Sequence, residues 1–282
     1  VVTDPKKKNP VDFVLWFKTM GRYEHHILRW DSPWGQGFPG WHIECSAMSK
    51  QFLGETFDIH MGGIDLKFPH HTNEIAQSEA ASGKKFVNYW VHSEHLLVNE
   101  GKMAKSEGNF ITIQNVIAKG FNPLAYRYLT LTAHYRSKLN FSWDSLTAAQ
   151  NALHNLYSEA SGLGEPTQPL PEYLQAFNEA VNDDLDTPKA IAVMWDMLKS
   201  EHDNGAKLAT LLEFDKILGL NISEVMQESN TLRISVKELI QARDAARAAK
   251  DYAKSDKLRQ ELESKGLNVE DTPDGTKVKK KF

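Results

Sequence analysis

The sequence predicts an α/β core followed by an all-helical region. Three observations carry that expectation. In the first part of the chain, short runs of aromatic and β-branched residues alternate with stretches of helical pattern. Beyond residue 165 the chain turns charged, alanine-rich and helix-periodic. Between the two lies GLGEPTQPLP, whose Pro166, Pro169 and Pro171 cannot continue a helix.

The elements follow in order. Phe57 to His60 reads as a strand ahead of Gly62 and Gly63. Pro69 opens a helix running HHTNEIAQSEAAS and stopping at Gly83. Phe86 to His92 is a second strand. Residues 94–98 and 102–103 flank Asn-Glu-Gly in the manner of a hairpin. Thr112 caps a helix over 113–119 closed by Gly120, and another helix runs from Pro123 to His134. In the second part, helices fit 145–161, 173–182, 187–202, 205–218 and 235–264. Ile191, Met194, Met197 and Leu198 recur at helical spacing and read as core, giving a bundle of four-helix type.

Composition bounds the class. A chain of 282 residues with 41% hydrophobic and 25% charged residues forms a substantial core. One cysteine excludes an intrachain disulfide framework. No apolar run is long enough to span a bilayer, and VVTDPKKKNPVDF lacks a secretory signal's apolar stretch. A cytoplasmic, non-membrane setting is therefore expected. The net charge of -4 argues against a uniformly basic surface, though not against a local basic face.

Two groups of residues carry chemistry. Cys45 lies in GWHIECSAMS, and His70 and Glu74 stand four apart on the predicted helix, so both side chains share one face. Thiolate, imidazole and carboxylate make a reasonable zinc shell, and three protein ligands leave a tetrahedral position open. An open position on a thiophilic ion suits a sulfur-bearing substrate. His71 would point elsewhere. Lys102 and Lys105, in GKMAKSEGN, are point charges suited to a triphosphate. Gly62, Gly63 and Asp65 form a second ligand-shaped loop, with a carboxylate for an amine or a ribose hydroxyl. The sequence holds no GxxxxGK[ST] phosphate loop.

GWHIECSAMS, DIHMGGIDLKFPHHTNEIAQSEA, NYWVHS, GKMAKSEGNF and HYRSKLNFS strongly resemble cysteinyl-tRNA synthetase. FNEAVNDDLDTPKAIAVMWDM and ARDAARAAKDYAKSDKLRQELESKGLNVEDTPDGT extend the resemblance over essentially the whole chain. It implies a Rossmann-like class I synthetase catalytic core, here partial, followed by an all-helical anticodon-binding bundle. The implied divisions are a core with zinc site and lysine loop over 1–110, a connecting helical region over 111–165, and an anticodon-binding domain with a basic tail over 166–282. Cys45, His70 and Glu74 become ligands of one Zn2+. Trp41 becomes the aromatic residue closing the amino-acid pocket, and Asp65 the residue near the substrate ammonium. Lys102 and Lys105 fall in the counterpart of the KMSKS loop, which serves ATP and its Mg2+.

Two departures stand out. The loop reads KMAKS, so Ala104 replaces the usual serine. The HIGH motif, and with it the family's first zinc-ligating cysteine, does not occur, so the sequence looks like the C-terminal portion of a longer protein, and this chain alone is expected to be inactive. With that cysteine the ion would have four protein ligands rather than three. The implied partners are cysteine, ATP and cysteine tRNA, bound by a monomer. Basic residues between Arg233 and Lys265, and the lysines of the tail, offer a face for tRNA phosphates. Two rivals remain. One is a ligase of thiol biosynthesis joining cysteine to an amino-sugar inositol, against which the long helical region argues. The other is a non-catalytic fragment that binds tRNA or zinc.

Overall fold

The computed structural model describes residues 5, 7–98, 101–103, 110–272 and 275–280. The chain forms two compact units. One comprises residues 1–111 and 133–142, the other 112–132 and 143–282.

The first unit is α/β. Strands β1 (Trp16–Lys18) and β2 (Gly37–Pro39) pair antiparallel, with Phe17 opposite Phe38. Their aromatic side chains collect others: the His26 ring stacks on Phe38 at 3.7 Å, and Tyr23 meets Phe17 at 5.1 Å. Helix α1 (Trp41–Leu53) follows. Strand β3 (Phe57–Gly63), helix α2 (Thr72–Ser82) and strand β4 (Val87–Ser93) then make a βαβ unit with β3 and β4 parallel. That unit is the repeating piece of a Rossmann-like core. Strand alternation decides what faces what. Ile59 and Met61 are exposed on β3, whereas His60 between them is half-buried and opposite Trp90 of β4. A three-stranded sheet completes the unit, with β5 (Leu96–Val98) between β6 (Gly101–Lys102) and β7 (Leu139–Phe141).

Helix α2 begins later than the sequence suggests. Residues Lys67–His71 form a wide turn interrupted at Phe68, whose backbone is extended. Regular helix starts at Thr72 and ends at Gly83, as expected.

The second unit is dominated by helices: α3 (Ile113–Ala118), α4 (Pro123–Leu131), α5 (Trp143–Gly162), α6 (Pro171–Asn182), α7 (Thr187–Lys199) and α8 (Asn204–Leu218). Thr112 caps α3 through a reciprocal box with Asn115. The expected stripe of Ile191, Met194, Met197 and Leu198 is buried core. Phe177 and Phe214 stack beside it at 4.1 Å.

Beyond α8 the chain turns sharply. Gly219 is left-handed at φ +61°, and Asp215 accepts from the amides of Leu220 (2.6 Å) and Ile222 (2.8 Å). Arg127 donates to the carbonyl of Leu218 at 2.5 Å, and the Tyr157 hydroxyl donates to that of Leu220 at 2.7 Å. The carbonyls of Leu218 and Leu220 and the amides of Leu220 and Ile222, freed at the helix end, are thus each satisfied.

The expected single helix over 235–264 is corrected to two. Helix α9 (Ile222–Ala248) stops, Lys250 takes a left-handed conformation at φ +58°, and α10 (Tyr252–Ser264) starts under an Asp251 cap. The amides of Lys250 and Asp251 return to the carbonyls of Arg247 and Ala246, closing α9 without a glycine. The C-terminal lysines lie in part on a hairpin, β8 (Leu267–Thr272) with β9 (Gly275–Lys280). Lys281 lies outside the described residues.

Among the described residues no helix is long and apolar enough to cross a membrane.

Burial and, after it, the charge of Asp215 push the Tyr157 hydroxyl up to about 12, from 10.0 in an unfolded chain. The folded state therefore holds that proton more tightly. Its contribution is complete below pH 10 and is lost as the pH climbs from 10 toward 12. Tyr157→Phe should lower stability by about 1 kcal/mol at neutral pH, through the lost hydrogen bond, and should flatten the alkaline decline. Thermal unfolding followed across pH 7–12 checks both.

Candidate metal centre

The candidate site is assembled by four regular elements of the first unit and one turn. Helix α1 brings Trp41, His42 and Cys45. The turn into α2, and α2 itself, bring His70, His71 and Glu74. Strands β3 and β4 bring His60 and His92.

Glu74 lies at the centre and is wholly buried, at 0% exposure. Its Oε1 is 2.7 Å from His70 Nε2, and its Oε2 is 3.2 Å from His60 Nε2. Neither oxygen receives a hydrogen bond of acceptable geometry despite those short separations. A buried carboxylate so placed costs several kcal/mol unless a proton or a cation compensates it. Ligand atoms of Cys45, His70 and Glu74 all lie within 4.8 Å of one another. The wide turn at residues 67–71 therefore does not separate the pair spaced four apart, and the expected convergence of the three side chains is what the structure holds.

The surroundings orient these groups. His42 and His70 meet Nδ1 to Nδ1 at 2.7 Å, so one of those nitrogens carries the proton. His70 Nε2 is left facing Glu74. This is the arrangement in which an outer imidazole fixes the tautomer of a ligating one. Gln77 holds the other side, donating to the His42 carbonyl at 2.5 Å and to Ser46 Oγ at 2.6 Å. The Trp41 ring lies 4.3 Å from that of His70 and is largely exposed beyond it.

Electrostatics favour neutral forms in the absence of a cation. Burial pushes the Glu74 carboxyl up to about 7. Burial and then the charges of Glu74 and Glu44 push the Cys45 thiol up. His71 falls to about 4 through burial first, then proximity to His60, His92 and His70. His42, His60, His70 and His92 are lowered too, burial being the leading cause in each. A divalent cation would reverse this balance, since it stabilises thiolate and carboxylate directly. The donors are soft sulfur, imidazole and carboxylate, the carboxylate oxygens receive no hydrogen bond, and the cluster is one that could hold a metal ion.

The other sequence-selected residues are less concentrated. Asp65 stands exposed on the turn after β3, its carboxylate packed where a side chain at Gly63 would otherwise stand. Lys102 is the last residue of β6, with its backbone opposite Leu97 of β5. Lys105 and Ala104 lie outside the described residues. His42, His60 and His92 were not among the sequence candidates. A signal for His42 existed, because it stands three residues before Cys45 and so shares its helix face. His60 and His92 depend on strand pairing and carried none.

Comparisons with known proteins now bear on this geometry. Residues 1–151 match the family described as tRNA synthetases class I (C) catalytic domain. The chain belongs to that family. Residues 176–222 match the DALR domain, and residues 231–278 the cysteinyl-tRNA ligase anticodon binding domain. Among relatives, the chain is 45% identical to cysteine–tRNA ligase 1 of Burkholderia lata over 273 residues, covering 96% of this chain and 58% of that protein. It is 43% identical to the cysteine–tRNA ligase of Treponema denticola, covering 98% of this chain and 63% of that one. For the Haemophilus influenzae enzyme the identity is 45%, covering 97% and 62%. The chain thus spans about three fifths of the length of these relatives. This class I synthetase chain joins a partial Rossmann-like region to a largely helical one, the architecture expected from sequence.

Gly62 is where the strand gives the cluster room. A Cβ there would lie 2.8 Å from Cε1 of His71 and 2.9 Å from Leu66. His71 is itself buried and cannot swing clear. Gly62→Ala should therefore destabilise the protein by about 1–3 kcal/mol and shift the His71 imidazole resonances. Denaturant unfolding with histidine NMR tests it, and a change under 0.5 kcal/mol would contradict the packing described.

Proposed function

We propose that the protein carrying this chain is a cysteinyl-tRNA synthetase, activating cysteine with ATP and transferring it to cysteine tRNA in the cytoplasm. The observation that carries the reading is the convergence of Cys45, His70 and Glu74 beside the Trp41 ring, in a chain of this synthetase family. In this reading residues 1–110 are a partial catalytic core, 111–165 connect, and 166–282 face tRNA, in a monomer.

Cys45, His70 and Glu74 would hold one Zn2+. Such an ion supplies a soft Lewis acid that takes a thiolate in preference to a hydroxyl. The remaining work falls to this chain's side chains. Trp41, exposed beyond His70, offers a flat apolar wall to a small amino acid. Asp65 offers a carboxylate to its ammonium group. The carboxylate of cysteine would attack the α-phosphorus of ATP, and pyrophosphate would leave as its Mg2+ complex. Lys102 and Lys105 would neutralise charge on that leaving group. Catalysis then rests on positioning and charge rather than on a protein nucleophile.

The inositol-ligase alternative gains nothing from the matches across 176–222 and 231–278, which are to DALR and anticodon-binding domains. The decisive experiment measures cysteine-dependent ATP–pyrophosphate exchange and charging of cysteine tRNA by the protein that carries this chain. Both activities are expected. Zinc bound without either activity would leave the non-catalytic reading.

Two further outcomes follow. Lys105→Ala should slow exchange at least a hundredfold while leaving cysteine affinity within about threefold, because the lysine acts on the leaving group. An unchanged exchange rate would refute its role. Stripping the metal should abolish discrimination between cysteine and serine, measured as the ratio of their kcat/KM values in exchange. Retained discrimination would remove zinc from the amino-acid pocket.

A further inference from the structure

A groove runs along the face of helix α1 turned away from Cys45. Ile43 and Ala47 line it from that face, four residues apart, and Cys45, midway between them, falls on the opposite side. Phe13, Trp16 and Trp34 line it too, and Glu44 is its one charged side chain among the described residues. Its volume is about 660 Å3, within the range of small-molecule pockets.

We propose that this groove binds a small organic ammonium ion with an aromatic body, the indoles taking the body and Glu44 the charge. The proposal does not depend on the activity argued above.

Three features support it. First, the two indoles are braced yet uncovered. Trp30 and Gly37 exchange backbone hydrogen bonds at 2.7 and 2.9 Å, which closes the loop between them. Inside that loop Ser32 Oγ donates to the Gly35 carbonyl at 2.6 Å and accepts from the Trp34 amide at 3.2 Å. The Trp16 indole N–H donates to the same carbonyl at 3.3 Å, and a Cβ at Gly37 would collide with that ring. The rings stand 6.2 Å apart and tilt 54° to each other, so they do not stack face to face. Trp34 nevertheless stays 65% exposed. A rigid, uncovered aromatic surface binds at little cost in ordering.

Second, the carboxylate is free. Among the described residues nothing pairs with Glu44, and Lys50, on the same helix, turns to Glu55 at 3.3 Å instead. An unpaired carboxylate beside indole faces attracts a cation twice over, through its own charge and through the ring quadrupoles.

Third, the lining selects among ligands. It holds no cationic side chain to receive an anion. An aromatic amino acid would bring its carboxylate toward Glu44 and be repelled. The amine left when such an amino acid loses its carboxyl group keeps the body and the charge and meets no repulsion.

The test uses the full chain, with phenethylamine, 2-phenylethanol and phenylalanine as probes. Calorimetric titration should show the amine saturating one site, with a Kd in the millimolar range or tighter. The alcohol and the amino acid should each bind at least about fivefold more weakly. The amine should also shift the tryptophan indole N–H resonance that disappears in Trp34→Ala. Glu44→Gln should weaken the amine to the level of the alcohol and leave the alcohol within about twofold. Trp34→Ala should weaken both. The absence of saturable amine binding overturns the proposal. So does an alcohol that binds as tightly as the amine, or amine binding that persists unchanged in both variants. Both positions are exposed, and circular dichroism is recorded alongside. If Trp34→Ala is unfolded, Glu44→Gln decides the matter alone.

Discussion

A carboxylate with no exposure and no hydrogen bond organises this molecule's chemistry. Glu74 could not be retained in the interior as a bare anion, and burial duly moves it toward the protonated form. The donor atoms gathered on it are nitrogens and a sulfur. Cys45, His60 and His70 approach from a helix, a strand and a turn, and no apolar side chain takes their place. The same group would be unremarkable on a surface. In the interior it demands a positive partner, and the fold surrounds it with ligands.

The βαβ unit explains how so many imidazoles reach one carboxylate. In a parallel pair, alternate residues of both strands face the crossover helix. Here His60 pairs with Trp90, and Gly62 with His92, so one face carries a histidine from each strand. Helix α2 lays Glu74 across that face. Helix α1, packed on α2, adds Cys45 and His42 from the far side. Gly62 and Gly63 are needed because the backbone passes within side-chain distance of His71 and Asp65. Cys45, His60, Glu74 and His92 are thus positioned by regular elements, whose geometry is stiffer than that of loops, and His70 and His71 by the turn that leads into α2.

What was legible in the sequence follows from this division of labour. His70 and Glu74 could be paired because a helix fixes the relation of residues four apart, and Cys45 could be added because sulfur is rare and chemically distinct. His60 and His92 could not, since their meeting depends on the register of two strands separated by a helix, which no local spacing encodes. The helix break at Lys250 was hidden for a different reason. Left-handed backbone is usually announced by glycine or asparagine, and here a lysine adopts it under the pull of two returning amides and the Asp251 cap. The helices of the second part were legible because their apolar stripes, such as Ile191 to Leu198, are the core itself.

The same break corrects the electrostatic reading of the C-terminal region. As one long helix, residues 235–264 would display their basic side chains along a solvated rod. Instead α10 and the β8–β9 hairpin fold against α9, and three of the arginines, one of them buried, converge on one aspartate. Arg243, only 2% exposed, donates to Asp271 at 2.6 Å and also to Thr276; Arg247 pairs with Asp271; Arg259 stands 3.8 Å from it and donates to the Val269 carbonyl at 3.0 Å. The hydrogen bond from Arg243, followed by the charges of Arg243 and Arg247, holds the Asp271 carboxyl below its ordinary range despite the opposing effect of desolvation. These arginines are structural cations, which tie the hairpin to the helices. The exposed lysines, such as Lys254 and Lys257, present their charge to solvent, where a phosphate could meet it. Counting basic residues along the sequence overstates the field that a polyanion would meet, because guanidinium groups serve as readily inside a fold as outside it.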